Sequence, residues 1–157
     1  MGKTLYMLIG PKGSGKTYIG TIVEKNTDVF FLRVENIWLK LTHKENGWEK
    51  IEHEIDMAFK NNEKIMIENL GAGEDFHKFY VSLNKKYLIK LIRVFTDLDI
   101  CLIRVMRRDN KNHIPVSDDK VLEYNKIASR VKLDWDIEID NNGPATDSDI
   151  LRAINRL

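Results

Sequence analysis

The stretch Gly10–Thr17 reads GPKGSGKT and decides the fold of this 157-residue chain. It matches G-x-x-x-x-G-K-[ST], the Walker A or P-loop motif, in which a glycine-rich backbone surrounds phosphate groups. An apolar run at residues 5–9 precedes the motif, and apolar residues follow it at helical spacing. The loop therefore connects a buried strand to a helix. Because a helix N-terminus carries partial positive charge, this arrangement predicts a phosphate-bearing ligand.

The motif also predicts what its polar side chains do. Lys16 should reach the β- and γ-phosphates of a nucleotide, and the Thr17 hydroxyl should ligate Mg²⁺. The glycines allow the backbone to approach the phosphates closely. The predicted nucleotide-binding residues of the loop are Gly10, Gly13, Ser14, Gly15, Lys16 and Thr17.

Composition narrows the class of protein. The net charge is +1 and no long basic tract is present, so no nucleic-acid partner is predicted. The lone cysteine, Cys101, excludes an internal disulfide and suits the reducing cytoplasm, where we expect the protein. No apolar stretch approaches a membrane span and no signal-peptide pattern is present, so neither a membrane partner nor export is expected. The oligomeric state is left open.

Strands and helices alternate along the chain. Strands are predicted at 5–9, 29–33, 64–68, 88–95 and 136–140, with helical stripes between them. This alternation indicates a parallel sheet with helices on both faces. Because no repeat, low-complexity tract or linker is present, residues 1–157 are expected to form a single domain.

The P-loop alone does not separate kinases from GTPases or transport ATPases. Guanine recognition needs an Asn-Lys-x-Asp run, and none of the three Asn-Lys pairs in this chain has Asp two places after the Lys. The Leu-Ser-Gly-Gly-Gln run of transporter-type ATPases is also missing. These absences favour the small kinases among P-loop proteins.

The whole chain resembles the small P-loop kinase superfamily of shikimate, gluconate and adenylate kinases. The P-loop lies near the N-terminus, residues 88–108 resemble a strand followed by an arginine-bearing helix, and residues 139–150 resemble the last strand and terminal helix. The resemblance implies a three-layer α/β P-loop NTPase fold with a five-stranded parallel sheet in the order 2-3-1-4-5. It also implies ATP as phosphate donor, Mg²⁺, and a short lid at about 109–117.

Two arginines lie just before this lid. Arg104 and Arg108 are four residues apart, so they share one face of a helix. In the superfamily such a pair packs one guanidinium on adenine and directs the other at the phosphates. The resemblance therefore implies that Arg104 binds the nucleotide and that Arg108 is catalytic, stabilising charge on the transferred group. A solvated basic helix end is the alternative.

Two acids are candidates for metal and base chemistry. Glu35 follows the second predicted strand, where relatives place an aspartate that binds Mg²⁺ through water or accepts the proton of the substrate hydroxyl. Glu68 ends the third strand, in the position of a Walker-B-type acid. Glu35 is thus a candidate catalytic residue, and the candidate metal ligands are Thr17, Glu35 and Glu68. A carboxylate in a helix cap is the alternative for either acid.

The acceptor side departs from the named kinases. Residues 68–71 read ENLG in place of the Asp-Gly-Phe-Pro run of adenylate-type kinases, and Ile51-Glu52 stands where shikimate kinases carry Phe-Arg. Because an acid cannot bind a carboxylate as arginine does, we expect a neutral or amine-bearing alcohol, or a nucleoside.

The leading hypothesis is an ATP-dependent phosphotransferase that moves the γ-phosphoryl group to a hydroxyl of a small molecule. One alternative is a nucleoside or nucleotide kinase. The other is a nucleotide-binding regulatory NTPase that has no acceptor substrate.

Overall fold

The apolar run before the P-loop is the central strand of the sheet. The computed structural model describes residues 2–42, 44–107 and 117–157. All neighbouring strands pair in parallel, in the order β2-β3-β1-β4-β5, which confirms the predicted fold class and strand order. The strands are β1 Thr4–Ile9, β2 Phe30–Phe31, β3 Lys64–Asn69, β4 Leu88–Phe95 and β5 Ile137–Asp140.

Helices connect the strands across both faces of the sheet. Side-chain caps explain where several of them begin: Asn46, Ser117 and Thr146 each accept a backbone N–H of the first turn that follows. Within the described ranges, no helix has the length and apolar character needed to cross a membrane. The helices are α1 Lys16–Asn26, α2 Val34–Leu39, α3 Gly47–Ala58, α4 Glu74–Asn84, α5 Leu98–Arg107, α6 Asp118–Ser129 and α7 Asp147–Ile154.

The core has two halves because successive residues of a strand point to opposite faces of the sheet. On β1, Leu5, Met7 and Ile9 pack with the inward faces of α3 and α4. The intervening residues Tyr6 and Leu8 pack with α1 and α7 on the other face. This continuous burial of β1 produces the apolar run in the sequence and gives the three-layer arrangement.

The region after β2 differs from the prediction. The strand is limited to residues 30–31, not 29–33, and the next helix begins at Val34. Val34 is buried and packs in the same half of the core as α3, so the helical stripe begins there. Glu35 consequently lies in the first turn of α2 and not in a connecting loop.

The parallel sheet brings predicted site residues together at the carboxyl ends of its strands. Ile9 at the end of β1 is in register with Asn69 at the end of β3, so the P-loop and Glu68 meet beyond the carboxyl ends of the strands. The predicted lid lies outside the described residues except for Ser117, which caps α6. Arg108 also lies outside them.

Candidate functional site

The P-loop takes a shape that requires glycine at two positions. Gly13 and Gly15 have φ angles of 87° and 98°, which belong to the left-handed region. A Cβ on Gly13 would lie 2.4 Å from the carbonyl oxygen of Cys101, and one on Gly15 would lie 2.2 Å from the side-chain nitrogen of Asn141. The motif therefore reflects tight packing of the loop against α5 and against the β5–α7 connection.

Two buried asparagines form hydrogen bonds with the backbone of the P-loop. The N–H of Lys12 donates to Oδ1 of Asn125 at 2.8 Å, and Nδ2 of Asn125 donates to the Lys12 carbonyl at 2.9 Å. Nδ2 of Asn141 donates to the Ser14 carbonyl at 2.8 Å. Because buried amide groups are costly to leave unpaired, both asparagines fix the conformation of the loop.

Neither asparagine was predicted as a site residue. Asn125 did carry a signal, because it lies between Val121 and Ala128 on the buried stripe of α6. A polar residue on such a stripe needs a hydrogen-bond partner in the interior. The partner itself, the backbone of Lys12, is 113 residues away and could not be read from local spacing.

Lys16 lies inside the concave side of the loop. Its ammonium donates to the carbonyl oxygens of Gly10 at 2.7 Å and Pro11 at 2.8 Å. Burial lowers the pKa of Lys16 to about 8, and the nearby carboxylates of Glu68 and Glu35 oppose this shift. The ammonium thus lies against the backbone of the loop, and its contact with nucleotide phosphates stays a prediction.

Thr17 and Glu68 form the part of the site suited to a metal ion. The Thr17 hydroxyl donates to Oε2 of Glu68 at 2.8 Å, and Glu68 is only 3% exposed. Its other oxygen, Oε1, is buried and has no hydrogen-bond partner among the described residues. Burial raises the pKa of Glu68, whereas the charge of Lys16 opposes that change.

These groups fit Mg²⁺. The Thr17 oxygen keeps lone pairs while its hydrogen is donated, and Glu68 presents a buried carboxylate oxygen. Among the described residues, no group of three or more His, Cys, Asp or Glu side chains converges. The protein thus offers few ligands of its own, which is typical of sites where phosphates and water complete the shell of Mg²⁺.

Arg104 lies between the P-loop and the β5–α7 connection. Its guanidinium donates to the Asn141 carbonyl at 2.8 Å and to the Gly13 carbonyl at 3.4 Å. It therefore lies next to the loop, and its contact with adenine stays a prediction. Arg108, its predicted partner, is outside the described residues.

Most of the predicted site residues line a single cleft, called here the P-loop cleft. It has a volume of about 210 Å³ and includes Lys12 beside the predicted groups. Gly10 and Ser14 belong to the same loop, where Ser14 is buried. The predicted residues that line the cleft are Gly13, Gly15, Lys16, Thr17, Glu35, Glu68 and Arg104.

A second cavity of about 240 Å³ adjoins this cleft, and the two share Lys12, Lys16, Glu35 and Glu68. Its other walls are largely apolar and include two tryptophans that the sequence did not single out as site residues. These lining residues are Val34, Trp38, Trp48, Asn69 and Leu70.

Ile51 and Glu52, the two residues on which the expected acceptor class rested, do not line this cavity. Glu52 lies 3.8 Å from the ammonium of Lys86, and Ile51 is buried in the core. On α3 it is Trp48, three residues earlier than Ile51, that reaches the cavity. The expectation of a neutral or amine-bearing alcohol, or a nucleoside, which rested on Ile51-Glu52, stays a prediction.

Comparisons with solved structures match nearly the whole chain. Shikimate kinase from Acinetobacter baumannii in complex with shikimate aligns with a TM-score of 0.64 and 17% identity over 98% of this chain and 92% of that one. The Mycobacterium tuberculosis APS kinase CysC in complex with AMPPNP and APS aligns with a TM-score of 0.61 and 14% identity, over 98% and 96%.

A gluconokinase from Sinorhizobium meliloti aligns with a TM-score of 0.56 and 13% identity, over 97% of this chain and 88% of that one. No protein-family model matches the sequence, and no curated protein matches it significantly. At these identities the likeness concerns the fold. The chain therefore has the fold of the small P-loop kinase superfamily, as the resemblance of its sequence to that group predicted.

Proposed function

We propose that this protein is a phosphotransferase that uses ATP and Mg²⁺ to phosphorylate a hydroxyl group of a small molecule. The observation that carries the proposal is the shared wall of the two cavities. Lys16, Glu35 and Glu68 line both the P-loop cleft and the aromatic cavity beside it. A donor phosphate and an acceptor bound on either side of these residues would be in contact, as transfer requires.

The donor side would be formed by the P-loop and its neighbours. Lys16 would bind the β- and γ-phosphates, and Arg104 would lie against the adenine end of the nucleotide. Thr17 and Glu68 would hold Mg²⁺, which when bound neutralises charge on the phosphates. Since the buried asparagines already fix the loop, little reorganisation is needed when the nucleotide binds.

The acceptor side would use Glu35. Glu35 lies in the first turn of α2 and lines both cavities, so its carboxylate is near any hydroxyl bound between them. It would orient that hydroxyl and accept its proton, a modest contribution because phosphoryl transfer depends mainly on positioning and electrostatics. Arg108 would add positive charge at the transferred group.

Two alternatives make different predictions. A nucleoside or nucleotide kinase would use the same donor side with a more specific acceptor. A regulatory NTPase would need no acceptor cavity, so the aromatic cavity beside the phosphate cleft favours transfer over regulation. The buried, free Cys101 suits the cytoplasm as the compartment for any of these functions.

The test is ADP release from Mg²⁺-ATP across a panel of small hydroxyl compounds and nucleosides. We expect at least one compound to stimulate release, and we expect Lys16→Ala to abolish the stimulation. Lys25→Ala is the matched control, because Lys25 is an exposed lysine on the same helix. Binding of ATP without stimulation by any compound would favour the regulatory alternative, and full activity of Lys16→Ala would contradict the proposal.

A further inference from the structure

We infer that the acceptor is an uncharged alcohol that carries a flat ring, the chemical class to which nucleosides belong. This inference rests on the proposed function, because it assumes that the cavity beside the phosphate cleft receives the acceptor. To the proposed function it adds the chemical class of the acceptor that would bind in the cavity. The ring would lie against Trp38 and Trp48.

The two tryptophans form a rigid corner. Their ring centroids are 5.6 Å apart and their planes meet at 84°. Trp48 also packs on the core residue Phe79, with centroids 5.1 Å apart. Trp38 lies against the backbone of Gly47, where an added Cβ would come within 1.9 Å of the indole. Neither ring can move far without disturbing its neighbours, so the corner is present before any ligand binds.

Such a corner suits a flat ring. The remaining apolar walls are Val34 and Leu70, so a planar ring entering the cavity would bury both of its faces against carbon. Stacking of a nucleic-acid base on an aromatic side chain contributes about tenfold or more to affinity, and every base has a face that can stack.

The charges of the cavity disfavour an anionic acceptor. Among the described residues that line it, the cations are Lys12 and Lys16, and both belong to the P-loop, where the phosphates of the donor would bind. Glu35 and Glu68 are the acids of the same lining. A carboxylate or phosphate on the acceptor would compete with the donor for the lysines and would lie close to two carboxylates.

The cavity also disfavours a molecule with many hydroxyl groups. Among its described lining residues, Asn69 is the one neutral side chain that can accept a hydrogen bond, since the two indoles only donate. Its Oδ1 already accepts the N–H of Gly71 at 3.1 Å. A sugar with hydroxyls all around it would lose water from several of them against the apolar walls and regain few hydrogen bonds there, whereas a ring-bearing alcohol would place its ring against those walls.

A separate cleft of about 300 Å³ is where an anionic acceptor would be expected to bind instead. It lies at the Gly71–Gly73 turn and is lined by Arg130 and Lys132 at the end of α6. A carboxylated acceptor would be attracted to that cleft, because its cations do not belong to the P-loop. Arg130→Ala therefore distinguishes an anionic acceptor from the uncharged one inferred here.

The experiment is equilibrium dialysis of radiolabelled probes against the whole protein with Mg²⁺-ADP in the donor site. The ring-bearing probes are uridine, thymidine and inosine. The contrasting probes are D-glucose, shikimate and D-gluconate. We expect at least one nucleoside to bind more tightly than all three contrasting probes. Trp38→Leu and Trp48→Phe should each weaken that binding, with the loss of the whole indole at Trp38 costing about tenfold.

Two controls keep the result specific. Trp135→Phe changes a tryptophan that lines neither the P-loop cleft nor the cavity beside it, so it should leave binding unchanged. Arg130→Ala should also leave nucleoside binding unchanged. Circular dichroism checks that each variant is folded, and since two different tryptophans are tested, misfolding of one leaves the other as the test.

Three outcomes overturn the inference: tightest binding by D-glucose, shikimate or D-gluconate, no binding by any nucleoside, or nucleoside binding that is insensitive to both tryptophans. Failure of the proposed function would look different. In that case a nucleoside would bind at the tryptophans and no labelled phosphate would be transferred to it from ATP.

Discussion

The side-chain amide of Asn125 bonds to both backbone groups of Lys12. It accepts the N–H at 2.8 Å and donates to the carbonyl at 2.9 Å. Lys12 belongs to the P-loop, and Asn125 lies on α6, the helix that follows the predicted lid. The P-loop and α6 are therefore joined by two hydrogen bonds that a single side chain provides.

Asn125→Ala should weaken ATP binding by about tenfold, because removing the amide takes two hydrogen bonds from the partly buried backbone of Lys12, at a cost of about 1–3 kcal/mol. Isothermal titration calorimetry with ATP measures the effect. Lys126→Ala, at the next and exposed position of the same helix, should bind ATP as the wild type does. Equal affinities of the two variants would show that the amide does not position the loop.

The affinity for ATP should fall as the pH rises above about 8. Burial lowers the pKa of Lys16 to about 8, and phosphates bind its charged form. Below that pH the lysine is already charged, so affinity stays level. Above it the free protein must take up a proton on binding, so affinity falls towards tenfold per pH unit. The dissociation constant measured from about pH 7 to pH 9 tests this dependence.

Lys16→Arg is the control for this titration, since arginine stays charged throughout the range. Any binding that this variant retains should lose the pH dependence. Calorimetry in buffers of different ionisation enthalpy should also detect proton uptake by the wild type above pH 8. A wild-type affinity that does not change across the range would contradict the depressed pKa.

The Thr17 hydroxyl should be required for normal use of Mg²⁺. Thr17→Val keeps the shape but removes the group that donates to Glu68 at 2.8 Å. The Mg²⁺ concentration that half-saturates ADP release should rise roughly ten- to a hundredfold. Thr17→Ser retains a hydroxyl and should stay close to the wild type. The assignment fails if the valine and serine variants need the same Mg²⁺ concentration.

Gly15→Ala should destabilise the protein. The φ angle of 98° costs an alanine about 1–2 kcal/mol, and its Cβ would lie 2.2 Å from the side-chain nitrogen of Asn141. For a chain of this size, we expect the melting temperature to fall by about 2–8 °C. Gly143→Ala is the control, because nothing lies within 4 Å of its added Cβ. Calorimetric melting of both variants decides whether the loop tolerates a side chain.

The parts predicted from sequence were those that depend on local spacing. Lys16 and Thr17 belong to one contiguous motif, and Glu68 ends an apolar strand, so their meeting followed from the parallel sheet. The strand order came from the resemblance to the small P-loop kinases, because it depends on pairings between distant segments. The early start of α2 was missed because the continuous apolar run at residues 29–32 indicated a longer strand, 29–33, than the two residues that form it.

The other missed residues act through long-range contacts. Trp48 stands at helical spacing before Ile51 and Ile55, so the sequence pattern indicates only that it belongs to an apolar helical stripe. Its place in the cavity depends on Trp38 and Phe79, which other helices supply. Asn125 was missed for the same reason, because its partner is in the P-loop. Periodicity identifies which face of a helix is buried, but it does not identify what that face meets.

The central claim is that a phosphoryl group passes from ATP to a small-molecule hydroxyl at this site. The most direct measurement is transfer of label from γ-labelled ATP, followed by mass spectrometry of the acceptor pool. The account predicts a phosphorylated alcohol with the wild type and none with Lys16→Ala. Release of all the label as inorganic phosphate, with every candidate acceptor unmodified, would contradict it.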